Sequence, residues 1–223
     1  MAGLVFIERR AAGEPVGLLV LHHGRGTDER DLLALGDALD PEQRLHVVLP
    51  RAPLRLGASP GWHWYLVPRV GYPDRQSFDN TRAQLAAFHD ELWRATVVGP
   101  ERTVLGGFSM GAVMSYALAL DADRPAPAGV LAFSGFIPTV EGWQPSLAER
   151  ASERVFIAHG RTDPVIGIEF ARRARETLSA GGLEVDYHEF AGGHEIDPTL
   201  IPAARTWLSA RQQAAGAGLR SRG

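Results

Sequence analysis

Seven short runs of apolar residues, separated by longer amphipathic segments, constrain the fold of this chain more than any other feature. Several of these runs are continuous stretches of Val, Leu and Ile rather than alternations of apolar and polar residues. Continuous runs are typical of strands that are buried on both faces of a mostly parallel sheet. The predicted strands occupy residues 4–8, 16–21, 46–49, 103–106, 129–133, 154–158 and 185–190.

Helical patterns fill the segments between these strands. The alternation predicts βαβ units with right-handed crossovers, and hence an α/β fold of three layers, in which helices cover both faces of a central sheet of about seven strands. The first two strands can pair antiparallel through the turn at 11–15. In such sheets, functional residues gather at the carboxyl ends of the strands. The predicted helices occupy residues 28–39, 78–97, 110–120, 166–180 and 199–210.

The length of 223 residues suits one domain, which we place at 1–210. The Ala-, Gly-, Gln- and Arg-rich segment 211–223 is predicted to be a disordered tail.

A net charge of −3 gives no electrostatic reason to expect nucleic acid or an anionic membrane as a partner. The absence of cysteine excludes disulfides and thiolate nucleophiles. No signal-peptide pattern or membrane-length apolar run is present, so we expect a cytoplasmic protein without integral membrane contact.

A Gly-x-Ser-x-Gly pattern at 107–111 supplies the candidate nucleophile, Ser109. In this motif the serine occupies a strained turn between a strand and a helix, and small flanking residues let neighbouring backbone pass close by. The pattern alone occurs by chance, and a glycine-rich turn with a structural serine would also produce it. The predicted strand before it and the predicted helix after it favour the nucleophile.

A serine hydroxyl needs a base, and histidine is the usual one because its ordinary pKa lies near 6.5. In this strand–turn–helix arrangement the base follows the serine and the acid in the chain. His159, His188 and His194 follow Ser109. His159 ends a predicted strand and His188 lies within one, whereas His194 lies in a Gly-rich turn after the last strand. We therefore predict His194 as the base, against the alternative of an exposed loop histidine.

The acid should hold the imidazole from its far side. Asp163 lies in the turn that leaves the strand at 154–158, in the required order between Ser109 and His194. The other acidic residues in that interval either lie within a strand or do not follow one. Asp163 is therefore the predicted acid, although Asp-Pro is also a common signal for the start of a helix.

Two backbone N–H groups usually stabilise the oxyanion that forms when an ester is attacked. One belongs to the residue after the nucleophile, here Met110, at a helix N-terminus where the dipole helps. The second is predicted from the glycine-containing loop at 21–26, with Arg25 as the donor. The adjacent His22 and His23 lack the spacing of a metal site, and a structural role for His23 in holding the loop is the better interpretation.

The long connection at 50–77, rich in Pro, Gly and Arg, is typical of a binding loop. Its aromatic residues, together with apolar residues from later loops, either line a substrate pocket or pack the loop onto the core. A mostly apolar pocket predicts uncharged or lipid-like esters. The candidate substrate-binding residues are Trp62, Trp64, Tyr65, Phe136, Ile137 and Val165.

Taken together, these motifs resemble those of the phospholipase/carboxylesterase family of α/β-hydrolases, which includes acyl-protein thioesterases and small bacterial carboxylesterases. The resemblance covers roughly residues 16–208. It rests on Leu-His-His-Gly-Arg-Gly at 21–26, Pro-Arg-Ala-Pro at 50–53, Gly-Phe-Ser-Met-Gly at 107–111, Phe-Ser-Gly-Phe-Ile-Pro at 133–138, His-Gly-Arg-Thr-Asp-Pro at 159–164 and Gly-Gly-His-Glu-Ile at 192–196.

The resemblance implies the α/β-hydrolase fold, a Ser109/Asp163/His194 triad, and neither a metal nor an organic cofactor. Many family members form dimers, so the resemblance allows a homodimer. Two features depart from the family pattern. Met110 stands where Gln is frequent, and the loop after the second strand is longer than in thioesterases. The longer loop resembles the bacterial carboxylesterase branch and argues against protein depalmitoylation.

The sequence thus predicts a serine carboxylesterase that acts on a small-molecule ester through an acyl-serine intermediate. A lysophospholipase or acyl-thioesterase uses the same residues and stays open as an alternative. A non-catalytic binding protein with the same fold is the third interpretation, which a missing triad residue would have favoured.

Overall fold

The strands of the main sheet follow the seven apolar runs. The computed structural model describes residues 3–151 and 153–220. All seven predicted strands are present, with ends that differ from the prediction by a few residues. Two further two-residue strands, β4 and β5, form a separate hairpin. The strands are β1 Phe6–Arg9, β2 Leu18–His22, β3 His46–Pro50, β4 Leu54–Arg55, β5 Trp62–His63, β6 Thr103–Phe108, β7 Gly129–Phe133, β8 Arg154–Gly160 and β9 Glu184–Phe190.

The seven-stranded sheet has the order β1-β3-β2-β6-β7-β8-β9. Strands β3, β2, β6, β7, β8 and β9 are parallel, and β1 pairs antiparallel with β3. The expected hairpin between β1 and β2 is wrong, because β2 is hydrogen-bonded to β3 on one side and to β6 on the other. The free edge of β3 accepts β1 instead, and an ion pair of 2.8 Å between Arg9 and Asp40 supports this edge.

Five helices connect and cover the strands: α1 Leu33–Leu39, α2 Arg75–Thr96, α3 Met110–Ala119, α4 Ile168–Ala180 and α5 Ile201–Arg220. Helix α2 begins three residues before the predicted position because Asp74 caps it by accepting a hydrogen bond of 2.9 Å from the Ser77 N–H. Helix α1 begins later than predicted, since residues 29–32 form turns. In these turns the Asp28 carboxylate accepts the N–H of Arg30 and Glu29 binds Arg51.

The sheet separates two apolar cores. Helices α2, α3 and α4 pack on one face, where Leu18, Phe78 and Tyr116 are fully buried. Helices α1 and α5 contact each other on the opposite face, where Leu19, Phe133 and Phe156 are buried. This three-layer arrangement is the one that the strand–helix alternation predicts.

The C-terminal helix extends further than the sequence pattern suggests. Helix α5 reaches Arg220, so residues 211–220 of the predicted disordered tail are helical, and residues 221–223 lie outside the described residues. Among the helices of the described chain, none combines the length and hydropathy that crossing a bilayer requires.

Phe156 offers a test of this packing. Its fully buried ring lies 6.0 Å from the ring of Phe133 and 6.2 Å from that of Trp207 on α5. Phe156→Ala should lower the free energy of unfolding by about 3–5 kcal/mol, because it removes these contacts and leaves a cavity. Urea unfolding measures the change, and the half-exposed Val5, replaced by alanine, is the control. Equal effects of the two substitutions would contradict the described core.

Candidate active site

Ser109 lies at the sharp turn between β6 and α3. Its φ of 56° and ψ of −121° place it in a backbone conformation that non-glycine residues rarely adopt. The Ser109 N–H donates to the carbonyl oxygen of Phe133 at the end of β7 (2.8 Å), and its carbonyl accepts the Val113 N–H (3.2 Å) in the first turn of α3. These bonds from both sides hold the strained turn in place.

Gly107 and Gly111 make this turn possible. The turn packs directly against the end of β2, and a Cβ atom on Gly111 would overlap the carbonyl oxygen of His22. A Cβ on Gly107 would crowd the same carbonyl and the backbone of Gly111. Glycine is therefore required at both positions by the close approach of the β2 backbone.

The structure brings together the three residues that the sequence predicts as a triad. The His194 Nε2 atom lies 2.8 Å from the Ser109 hydroxyl, and its Nδ1 atom lies 2.7 Å from Oδ2 of Asp163. With the carboxylate as acceptor, Nδ1 carries the proton and Nε2 is free to accept the serine proton. The ring of Phe108 packs against that of His194 at 4.9 Å.

Asp163 is held by several donors. Burial favours its neutral form, but the N–H groups of Ile166 (2.9 Å) and Val165 (2.8 Å) and the His194 imidazole outweigh this effect, so the pKa of Asp163 lies below its ordinary value. The buried His159 adds a fourth contact, with its Nε2 atom 3.4 Å from the carboxylate and 2.7 Å from the Ile166 carbonyl. The carboxylate is therefore ionised and fixed in orientation.

Hydrogen bonds join the loop that carries Asp163 to the loop that carries His194. The Thr162 N–H and hydroxyl both donate to the carbonyl of Gly192, at 3.0 and 2.9 Å. The N–H of Arg161 donates to the carbonyl of Phe190 at the end of β9 (2.9 Å). The loops that follow adjacent strands β8 and β9 thus keep Asp163 and His194 in register.

The loop that contains Arg25 is anchored through His23. The N–H of Ala52 donates to His23 Nε2 (3.0 Å), which leaves Nδ1 as the donor to the carbonyl of Gly24 (2.7 Å). Burial lowers the pKa of His23, which favours this neutral form. The contacts agree with the structural role predicted for His23. Within residues 3–151 and 153–220, no three potential ligand side chains are grouped as a metal would require.

His22 lies beneath the nucleophile turn. Its Nδ1 atom is 2.9 Å from the Ser115 hydroxyl, which in turn donates to the carbonyl of Gly111 (3.1 Å). Complete burial, reinforced by the neighbouring His89 and His23, lowers the pKa of His22 well below its ordinary value. A neutral imidazole therefore links β2 to the first turns of α3.

A cavity of about 370 Å³ opens at Ser109 and His194. Arg25 and Met110, the predicted oxyanion-hole donors, both line it. Of the predicted substrate-binding residues, Tyr65, Phe136 and Val165 also line it, and the remaining lining residues are Val67, Arg69, Val70 and Ile166. The walls are mostly apolar, as predicted, but two arginines accompany them.

Trp62, Trp64 and Ile137 do not line this cavity. Trp64 is fully buried, and its Nε1–H donates to the carbonyl of His23 (2.8 Å). The guanidinium groups of Arg51 and Arg55 lie over the ring of Trp62, at 4.9 and 5.1 Å from its centroid. Its backbone pairs with that of Gly26 and Thr27. Both tryptophans therefore contact the Arg25 loop, and both pack against the core, which is the alternative role that the sequence left open.

Four residues of the cavity wall were not predicted: Val67, Arg69, Val70 and Ile166. The first three lie in the connection at 50–77, which the sequence identifies as a binding loop without indicating which side chains face the site. Ile166 follows Asp163 closely, and its N–H group binds the acid. Proximity to Asp163 in the chain is the one signal that could have identified it.

Comparison with known proteins gives a consistent family assignment. The phospholipase/carboxylesterase family model matches residues 6–212. Mouse lysophospholipase-like protein 1 is 26% identical over 85% of this chain and 82% of its own length. Acyl-protein thioesterase 1 of Debaryomyces hansenii is 27% identical over 66% of this chain and 68% of its own length. The crystal structure of esterase PE8 superposes with a TM-score of 0.80 at 28% identity, covering 94% of this chain and 99% of that one.

Gly111→Ala tests the close approach at the nucleophile turn. The new methyl group would collide with backbone rather than with a movable side chain, so we expect a loss of about 3 kcal/mol in the free energy of unfolding. Gly13→Ala is the matched control because a Cβ there meets nothing within 4 Å. Thermal or urea unfolding compares the two, and a Gly111→Ala protein as stable as the control would show that the approach is not tight.

Asp163→Asn tests the charge state of the acid. A carboxyl group whose pKa is lowered on folding stabilises the protein above its unfolded-state pKa, and that stabilisation is lost as the pH falls through the folded-state value. The stability difference between wild type and Asp163→Asn should therefore shrink between about pH 5 and about pH 3. Urea unfolding at both pH values measures it, with the exposed Asp123→Asn as control. A difference that stays constant would show that Asp163 is not held ionised.

Proposed function

The chain belongs to the phospholipase/carboxylesterase family of α/β-hydrolases, related to acyl-protein thioesterases, and we propose that it is a serine carboxylesterase that works through an acyl-serine intermediate. The observation that carries the proposal is the continuous hydrogen-bonded chain Ser109–His194–Asp163 at the wall of a cavity. An unbroken chain of nucleophile, base and orienting acid is the arrangement that acyl transfer requires.

In the first half-reaction, His194 Nε2 removes the proton of Ser109 as its oxygen attacks the ester carbonyl carbon. Asp163 stabilises the imidazolium that forms, because its carboxylate lies 2.7 Å from Nδ1. His194 then gives the proton to the alkoxide of the alcohol, the carbon–oxygen bond breaks, and the acyl group stays on Ser109.

In the second half-reaction, water takes the place of the alcohol. His194 removes a proton from water, the hydroxide attacks the acyl carbon, and the proton passes to the oxygen of Ser109 as the acid product leaves. The Met110 N–H, in the first turn of α3, and the Arg25 N–H stabilise the oxyanion in both halves. The positions of both residues at the cavity support this assignment.

Acyl-thioester hydrolysis is the second candidate, because the relative from Debaryomyces hansenii is named an acyl-protein thioesterase. The same triad and oxyanion hole serve a thioester, since the attacked atom is again a carbonyl carbon. Lysophospholipids are a third substrate class, which the name of the mouse relative favours. A binding protein without turnover would not need the aligned hydroxyl and imidazole.

Ser109→Ala should reduce kcat/KM on p-nitrophenyl butyrate by about 10⁴-fold or more while the protein stays folded, because the nucleophile is lost. The same change should abolish labelling by a fluorophosphonate. Ser146→Ala is the control, since that hydroxyl binds Glu149 and not His194. A folded wild type that neither turns over nor becomes labelled would overturn the proposal, and substantial turnover by Ser109→Ala would remove Ser109 from it.

An ester and a thioester with the same butyryl group separate the first two candidates. We expect kcat/KM, divided by the uncatalysed rate constant of each substrate, to be higher for the oxygen ester. Lysophosphatidylcholine, assayed beside them, tests the third candidate. A higher normalised value for the thioester would make thioester hydrolysis the better description of the activity.

A further inference from the structure

A second cavity adjoins the catalytic cavity, with which it shares one lining residue. Its volume is about 280 Å³, against about 370 Å³ for the cavity at Ser109. Phe136 lines both, which places it at the boundary between the two spaces. The predicted substrate residue Ile137, which the catalytic cavity does not include, lines the second one.

The second cavity has mostly apolar walls. Its larger apolar lining residues are Tyr72, Phe136, Ile137, Val140, Trp143 and Phe170, and Arg173 is the charged residue in its lining. An apolar cavity of this size suits an alkyl chain, which gains free energy for each methylene that it removes from water. The catalytic cavity by itself lies near the lower end of the volumes that small-molecule sites occupy.

The Phe136 side chain is closely packed at this boundary. It is 4% exposed, and its ring lies 5.3 Å from the ring of Phe170 on α4. Phe170 is itself confined by Gly71, where a Cβ atom would collide with the phenylalanine ring. The two segments that surround the cavity are joined by a hydrogen bond of 3.0 Å from the Thr139 N–H to the Gly71 carbonyl. An ion pair of 3.1 Å between Arg75 and Glu141 adds to this connection.

We infer that Phe136 determines the longest alkyl chain that the enzyme accepts, and that the cavity behind it becomes the binding site for the end of a longer chain when this ring is removed. The inference rests on the proposed esterase function. It makes Phe136 a specificity-determining residue, and it assigns Ile137 to a subsite that short esters do not reach.

The test compares kcat/KM on p-nitrophenyl esters with acyl chains of four and ten carbons. In Phe136→Ala the ratio of ten-carbon to four-carbon kcat/KM should rise by about tenfold or more over wild type, because several methylenes gain an apolar site. Phe136→Leu, which keeps more of the packing, should show a smaller rise and serves if Phe136→Ala does not fold. A parallel series of butyrate esters with four- and ten-carbon alcohols shows which arm of the ester enters the cavity.

Ile137→Trp identifies the route of the chain, because it fills the second cavity. Alone it should leave the ratio of ten-carbon to four-carbon kcat/KM as in wild type, since Phe136 still blocks the second cavity. Combined with Phe136→Ala it should remove the gain on ten-carbon esters. A gain that persists in the double variant would mean that the chain takes another path, and would overturn the assignment of this cavity.

The outcomes also separate this inference from the function on which it rests. A wild type that hydrolyses four-carbon esters, with an unchanged ratio in folded Phe136→Ala and Phe136→Leu in both ester series, would overturn the inference and leave the esterase proposal standing. A folded wild type that hydrolyses none of the esters would overturn both.

Discussion

The site depends on one steric constraint, the close approach of the β2 backbone to the turn that carries Ser109. Gly107 and Gly111 permit this approach, and it places the loop that contains Arg25 beside the first turn of α3. Moving either element would separate the serine from the N–H groups that we assign to the oxyanion hole. The strained φ of Ser109 persists because its N–H donates to Phe133 and its carbonyl accepts the N–H of Val113, which holds the turn from both sides.

The other two residues of the site, Asp163 and His194, follow strands β8 and β9 of the same sheet. Because β6, β8 and β9 are parallel, the residues that follow them reach the same edge. The loops of Asp163 and His194 are hydrogen-bonded to each other through Thr162 and Gly192, which fixes their relative position. Trp64 and Trp62 contact the loop of Arg25 and its neighbours and do not line the catalytic cavity.

The sequence was most informative where local pattern and chain order decide the structure. Continuous apolar runs predict the strands, and the chain order of Ser109, Asp163 and His194, each just after a strand, selects the residues that the fold brings together. The partner of β1 was mispredicted because strand pairing depends on which edge of the sheet is free. The roles of Trp62 and Trp64 could not be predicted because they depend on the orientation of the rings. The contribution of Val67 and Val70 to the cavity wall could not be predicted either, because these residues lie in a loop without hydrophobic periodicity.

We propose that Ser109 carries the acyl group during turnover. Mass spectrometry can detect this group in protein that is acid-quenched within the first turnovers of p-nitrophenyl butyrate. We expect one butyryl group per protein molecule, located on Ser109 after digestion and fragmentation, together with a burst of one equivalent of p-nitrophenol. A butyryl group on another residue during productive turnover, or steady hydrolysis with neither a burst nor an acylated protein even when deacylation is slowed at low temperature, would contradict it.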